Sequence, residues 1–398
     1  MTRPERDDRP HRRAPARSSR TGPGQVAPGA DSRRVAADAL VAIERDESFA
    51  NLRLGPVLDR SGLDARDRRL VTELVYGAIR RRRSLDYLVD RFLISDPSPE
   101  LRALLRVGAY QIHYTDVPDH AAVAATVGAA PQKWRGVLNA VLRKVAAQPV
   151  SWPDEPTRLS VPDWLYRRLV ADLGTRVAIE TLDRMNVPPS MHRREDGYVQ
   201  DPGSQRIVEW LAPGEGDVVL DLCAAPGGKA TGLGAGGATV VAMDRRHGRV
   251  QLTGRNVAAV GASVGLVIGD ACAPPFADGV ADLVLVDAPC SGLGVLRRRP
   301  DARWRVDEQA VERLAAIQVA MLAAAAPLVR RGGRLAFSVC TLTAAETTGV
   351  AEAFERDHPD WSPLPPPSEP WMPSGSGAVL LPQADDSDGM ALFLWRRP

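Results

Sequence analysis

Lysine is almost missing from this chain: Lys133, Lys144 and Lys229 are the only ones among 51 basic residues, and the rest are arginine. Contacts to phosphates or base faces therefore fall to guanidinium groups, which suit both. A lysine inside a loop motif stands out against that background. Cysteine is scarce too. There are four, Cys223, Cys272, Cys290 and Cys340, all in the C-terminal half and none in a CxxC pair. That pattern argues against a disulfide framework and a zinc site, and no metal ligand is assigned. Reduced thiols in a cytoplasmic protein are the expectation. No run of about 18 uncharged apolar residues occurs, so no membrane span is argued. The Arg- and Pro-rich start lacks the apolar segment of a secretory signal. The net charge of +2 does not by itself announce a polyanionic partner.

What is present divides the chain by texture. Residues 1–32 combine Pro, Gly, Ser and Arg with almost no large apolar side chain, which reads as a disordered basic arm. Over 33–150 apolar residues recur at helix spacing: Val35, Ala39, Leu40 and Ile43; Leu70, Leu74, Val75 and Ile79; Leu85, Leu88, Val89 and Phe92; Leu101, Leu104, Leu105 and Ile112. This predicts an all-α bundle. Arg80, Arg81, Arg82 and Arg83 form a candidate basic patch for a polyanion within it, against the alternative of a solvated helix end. Residues 151–200 read as a linker or small subdomain with a helix at 162–170. From about 201 to 398 strands and helices alternate. The strand candidates are 218–223, 239–244, 264–270, 282–290 and 334–340, with a last strand at 390–395 placed antiparallel at an edge. Continuous Val/Leu/Ala strands separated by helices predict an α/β, doubly wound, mostly parallel sheet.

The first strand runs into Cys223-Ala224-Ala225-Pro226-Gly227-Gly228-Lys229-Ala230. A small-residue turn between strand and helix lets a ligand approach the backbone closely. A phosphate-binding P-loop would need Gly at 223 and Ser or Thr at 230, so that reading fails, as does the dinucleotide pattern. Asp221, Asp244, Asp270 and Asp287 close or follow successive strands. Acids at the carboxyl ends of parallel strands line one crevice, and one about twenty residues after the turn suits the hydroxyls of a ribose. Cys290, in Asp-Ala-Pro-Cys, and Cys340, at the end of the fifth strand candidate, fall in the same crevice. Cys272 reads as a buried or bystander thiol and Cys223 as a packing residue.

Two stretches make the pattern specific: LDLCAAPGGKA at 220–230 and DAPCSGLGVLRRRPDARWR at 287–305. They resemble the Sun/Fmu (NOL–NOP–Sun) family of RNA cytosine-5 methyltransferases, and QDPGSQ at 200–205 matches the family's entry to its catalytic domain. RDRRLVTELVYGAIRRRRSLDYL at 66–88, LRALLRVGAYQIHYTDVP at 101–118 and VLNAVLRK at 137–144 resemble a NusB-like RNA-binding domain. Together they point to the bacterial small-subunit ribosomal RNA branch. The resemblance implies a Rossmann-like methyltransferase domain behind a NusB-like bundle. It implies S-adenosylmethionine held by Cys223, Ala224, Ala225, Pro226, Gly227, Gly228, Lys229, Asp244, Asp270 and Asp287, and a monomer acting on RNA.

Carbon 5 of cytosine is too weak a nucleophile to take a sulfonium methyl unaided, and covalent catalysis solves this. The resemblance implies Cys340 as the attacking thiol, Cys290 as the residue that assists release, and Asp287 beside the base. The target would be single-stranded or flipped out. Arg297, Arg298, Arg299, Arg303 and Arg305 are expected at phosphates beside the target base, and Trp304 is a candidate for stacking or for the core. The chain departs from the family's pattern in two places. Thr-Cys-Ser followed by Glu-Asn is here Val339-Cys340-Thr341 followed by Glu346-Thr347. The segment before QDPGSQ, which in the family runs to several tens of residues and helps position RNA, is only 191–199. Two rival functions stay open: a catalytically silent RNA-binding or ribosome-assembly protein, and a methyltransferase acting on another substrate.

Overall fold

A computed structural model of the chain describes residues 30–398. Residues 1–29 of the expected basic arm lie outside the described residues, and Ala30–Asp31–Ser32 already belong to the helix Ala30–Arg45. Six further helices follow, Ala50–Arg60, Ala65–Arg80, Arg82–Asp90, Pro99–Tyr114, Asp119–Ala129 and Gln132–Ala147. The helix Ala50–Arg60 escapes a periodicity reading because Gly55 and Pro56 interrupt it. Leu74, Leu85, Leu88, Leu105, Leu138 and Leu142 are fully buried at the centre of this bundle. Each burial contributes about 1.5–3 kcal/mol relative to exposure.

The segment read as a linker holds three short helices, Glu155–Leu159, Asp163–Leu173 and Thr175–Arg184. Leu159, Val161, Leu165, Leu169, Leu182 and Met185 pack into the core of the C-terminal region. A hairpin-like excursion with an antiparallel bridge between Arg193 and Val199 then leads to helix Pro202–Leu211. Asp201 caps that helix, accepting from the Gly203 amide at 2.9 Å.

The strands are β1 Val218–Asp221, β2 Thr239–Asp244, β3 Val264–Ile268, β4 Ala281–Asp287, β5 Val329–Val339, β6 Ser362–Pro363, β7 Met372–Ser374, β8 Gly377–Leu380 and β9 Met390–Arg396. They form one sheet in the order β3-β2-β1-β4-β5-β9-β8-β7, with β6 on β9. β1 to β5 are mutually parallel. This is the expected doubly wound, Rossmann-like sheet. β9 is antiparallel to β5, as expected, but interior rather than at the edge. Its residues are buried on both faces, and β8 and β7, short strands after a Pro-rich stretch, extend the sheet past it. The stretch Glu308–Leu328 is long and apolar enough, by composition, to cross a membrane. Its helix instead buries Val311, Met321, Leu322 and Ala325 in the core beneath the sheet.

Candidate active site

Because β1, β2, β4 and β5 are parallel and adjacent, their carboxyl ends share one edge of the sheet. The register sets Asp221 beside Leu285 and Asp287 beside Ser338. The strand order reverses between β1 and β4, and the crevice outside such a switch point is where doubly wound sheets bind ligands.

After β1 the chain turns through 222–227 into the helix Gly228–Gly234. Gly227 has φ of 105°, a left-handed conformation that glycine adopts without strain. The turn's carbonyls are held from several directions. Arg249 donates to Ala225 O at 2.5 Å, Asn256 to Pro226 O at 2.8 Å, and Arg194 to Gly228 O at 2.7 Å. Arg194 also reaches Gln200 and Thr231, and its guanidinium lies over the Tyr198 ring. The short 191–199 segment is thus a brace on the turn. Sequence reasoning missed that role for Arg194 and Tyr198, and only their closeness to QDPGSQ hinted at it.

Asp221 is fully buried, and one of its carboxylate oxygens, Oδ2, has no hydrogen-bond partner. Burial, and then the charge of Asp287, pushes Asp221 up to about 7. Lys229 answers these acids: its ammonium donates to Asp287 Oδ2 at 2.7 Å. Although burial opposes it, the Asp287 carboxylate keeps Lys229 above its ordinary value and hence charged. Asp244, at the end of β2, accepts from the Arg246 amide at 3.0 Å and pairs with Arg249 at 3.0 Å. Asp270, beyond β3, caps the Cys272 amide at 2.9 Å. An unpartnered buried carboxylate oxygen beside a braced small-residue turn, with acids on the next strand ends, fits an adenosine-bearing ligand.

The two cysteines meet. Cys290, three residues past β4, and Cys340, directly past β5, place their sulfurs 3.3 Å apart. Hydrogen bonding to Cys290 draws the Cys340 thiol below its ordinary value against the cost of burial, and Lys229 and Arg299 help. The same bond, with burial and the Cys340 charge, pushes Cys290 up. The pair is thus asymmetric: the Cys340 thiol is the more readily ionised of the two. Gly294 donates to Cys340 O at 3.0 Å, and a Cβ there would lie 2.1 Å from Gly389 O, so the Cys290 loop closes on the Cys340 loop only with glycine. The other thiols stand apart from this chemistry. Cys272 is exposed, not buried. Cys223 packs against the core as expected, and its thiol is pushed up by burial and by Asp221.

The arginine run needs correction. Arg297 and Arg303 are 1% and 0% exposed, which bars them from phosphates. Arg297 donates to Ser387 O at 3.0 Å and pairs with Asp386. Arg303 donates to Arg80 O, Ser160 O and Asn186 Oδ1 at 3.1, 3.1 and 2.8 Å. Arg298 bridges Asp201 and Asp388 at 2.8 and 2.7 Å. Arg305 donates to the carbonyls of Glu47 and Ser48, and Trp304 donates to Ile79 O at 2.8 Å and packs against the helical core. Of the run, Arg299 is exposed. The 80–83 patch is taken up in the same way. Arg80 is buried and donates to Arg297 O at 3.0 Å, Arg81 lies over Tyr114, Arg82 over Trp304, and Arg83 binds Thr157 and Val161 O. These arginines join the helical bundle to the sheet region.

Glu346 was noted in the sequence only as part of a departure. The structure buries it completely between the cysteine loops. The available signal was the pair of hydroxyl residues, Ser291 and Thr341, each directly following a cysteine.

Comparison with known proteins agrees with this geometry. Residues 208–394 match the family model described as 16S rRNA methyltransferase RsmB/F, and residues 30–147 match the NusB family. The Ribosomal RNA small subunit methyltransferase B of Thermus thermophilus is 34% identical over 88% of this chain and 94% of its own length. That of Sodalis glossinidius is 31% identical over 82% and 90%. The crystal structure of PH0851 superposes with a TM-score of 0.74 at 21% identity, over 92% of this chain and 99% of that one, which shows the shared fold. With a braced turn fit for S-adenosylmethionine, and relatives aligned along nearly their whole length, the chain belongs to the RsmB/F family of S-adenosylmethionine-dependent ribosomal RNA methyltransferases, with a NusB-family region in front.

Proposed function

We propose that this chain methylates carbon 5 of a cytosine in small-subunit ribosomal RNA, with Cys340 as nucleophile and Cys290 as the release residue. The observation that carries this reading is the pair of sulfurs 3.3 Å apart at the ends of β4 and β5, beside the Lys229–Asp287 pair. The turn 223–229 with Asp244, Asp270 and Asp287 would hold S-adenosylmethionine, which when bound supplies an electrophilic methyl group.

The side chains do the rest. The Cys340 thiolate forms a bond to carbon 6, and the electron pair of the 5,6 double bond moves to carbon 5, which can then take the methyl group. Lys229, anchored by Asp287, stabilises negative charge on Cys340 before attack. Cys290 gives its own proton to solvent and then accepts the proton from carbon 5. The electrons of that C–H bond restore the double bond, and Cys340 leaves as thiolate. This division of labour is supported by the hydrogen bond from Cys290, which draws the Cys340 thiol down; Lys229 and Arg299 act in the same direction, against burial and the charge of Asp287. Arg299, exposed beside the crevice, is the candidate for a phosphate next to the flipped base.

The test is incubation of the protein with radiolabelled-methyl S-adenosylmethionine and unmodified small-subunit ribosomal RNA, followed by nucleoside analysis. Label in 5-methylcytidine supports the reading. Label in another nucleoside overturns the base assignment. Cofactor and RNA binding without transfer, on naked RNA and on small-subunit particles, favours a silent assembly protein.

A further inference from the structure

Glu346 lies in the 3-10 turn Ala344–Glu346, beyond the cysteine motif, yet its side chain is enclosed beneath both cysteine loops. Its Oε1 accepts from the Ser291 amide at 2.8 Å and from Gln318 Nε2 at 3.1 Å. Its Oε2 accepts from the hydroxyls of Ser291, Thr341 and Thr343 at 2.5, 3.1 and 3.1 Å. Ser291 directly follows Cys290, and Thr341 directly follows Cys340. Gln318 also donates to Pro289 O at 3.0 Å, on the other side of Cys290. The Ser291 and Thr341 hydroxyls are themselves 3.0 Å apart. One carboxylate is therefore gripped by residues flanking both sulfurs.

A carboxylate removed from water is costly unless its lone pairs are filled. Here five neutral donors fill them, and hydrogen bonds to a charged acceptor are about twice as strong as neutral ones. The clasp is thus stiff, and it adds side-chain ties to two loops joined otherwise by the β4–β5 pairing at Asp287 and Ser338 and by the Gly294 amide on Cys340 O. Small displacements matter at such a site, where a misplacement of about 1 Å can cost about 100-fold in rate.

We propose that Glu346 is a positioning residue for methyl transfer: its carboxylate clasps the Cys290 and Cys340 loops together and so sets the 3.3 Å approach of the two sulfurs. This rests on the reading that both cysteines act in the reaction. Glu346 makes no hydrogen bond to either sulfur; its hold on their positions passes through Ser291, Thr341 and Gln318, while its charge adds to the rise of the Cys290 thiol.

Two variants separate geometry from bulk. Glu346→Gln keeps the length of the side chain: its amide oxygen can face the Ser291 amide and Gln318, and two of the three hydroxyls can turn to accept from its two amide hydrogens. Glu346→Asp keeps the charge but is shorter by one carbon–carbon bond, about 1.5 Å. Sulfur proximity is read without activity, from the rate at which the two-electron oxidant diamide, which takes up both electrons and both protons, converts Cys290 and Cys340 to a disulfide, with peptides identified by mass spectrometry. The expected result is cross-linking slowed at least about tenfold and kcat lowered about 100-fold in Glu346→Asp. KM for S-adenosylmethionine stays unchanged. Glu346→Gln keeps near-wild-type cross-linking and loses less than about tenfold in kcat. Thr341→Val, which keeps the shape and removes one hydroxyl, reports in the same direction should Glu346→Asp not fold. The proposal is overturned if a folded Glu346→Asp or Thr341→Val cross-links like wild type. It is also overturned if Glu346→Gln cross-links normally but loses as much kcat as Glu346→Asp. Failure of wild type to make 5-methylcytidine would instead sink the assigned reaction, and the cross-linking result would still stand.

Discussion

The crevice at the strand ends and the arginine run that follows it in sequence use similarly polar residues for opposite purposes. In the crevice, Asp221, Lys229, Cys290 and Cys340 are perturbed by one another or by the neighbouring Asp287. In the run, Arg297 is held by protein carbonyls and a carboxylate, and Arg303 by carbonyls and an amide oxygen, its Nε alone lacking a partner. A polar residue that faces a crevice beside other titrating groups is a candidate for chemistry, and one enclosed away from solvent by protein hydrogen bonds is architecture. The arginine run reads as an RNA-facing stripe, yet Arg303, Trp304, Arg305 and the Arg297 carbonyl join the helical bundle to the sheet region, and Arg299 alone of its arginines is exposed. Its tie to the Cys290 loop through Arg80 and Arg297 O means that the bundle helps hold the catalytic loop's far end.

The largest effect that would sharpen this contrast is on the crevice side. Cys340→Ala should abolish methyl transfer, as read by incorporation of labelled methyl into RNA, while leaving the melting temperature close to that of the parent. Next, Arg303→Leu should cost about 3 kcal/mol in urea unfolding, because the carbonyls of Arg80 and Ser160 and the Asn186 side chain lose their donor in a dry site. If Arg303→Leu instead left stability untouched and weakened RNA binding, the joint would be an RNA surface after all. Arg299→Ala should do the reverse of Arg303→Leu: stability within about 0.5 kcal/mol of the parent, weaker RNA binding, and a salt dependence shallower by about one unit of slope.

The smallest effect concerns Asp221. Its folded-state value of about 7 lies above the ordinary 3.8, so the folded protein holds this proton more tightly than the unfolded chain does. Its contribution to stability is therefore complete below pH 3.8 and fades as the pH rises through about 7. Asp221→Asn should flatten the melting temperature of ligand-free protein across that window, and an unchanged slope would place the titration elsewhere.

Much of the fold was legible because long, continuous apolar strands and helical periodicities carry their own period. β1 to β5 and most bundle helices follow from it. The helix Ala50–Arg60, broken by Gly55 and Pro56, and the short strands β6, β7 and β8 do not, since so few residues establish no period. In the site, the turn and both cysteines were readable from motif spacing. The arginines were misread because sequence shows charge but not whether a carbonyl is waiting for it. Glu346 was underrated for a related reason: its five donors come from residues 291, 318, 341 and 343, and only the fold brings these together.

The central claim, that Cys340 attacks and Cys290 releases, is tested most directly by comparing Cys290→Ala and Cys340→Ala on denaturing gels after incubation with RNA and S-adenosylmethionine. The account predicts a protein–RNA adduct that accumulates in Cys290→Ala and none in Cys340→Ala. An adduct that accumulates in Cys340→Ala and is missing from Cys290→Ala would contradict it and reverse the two roles.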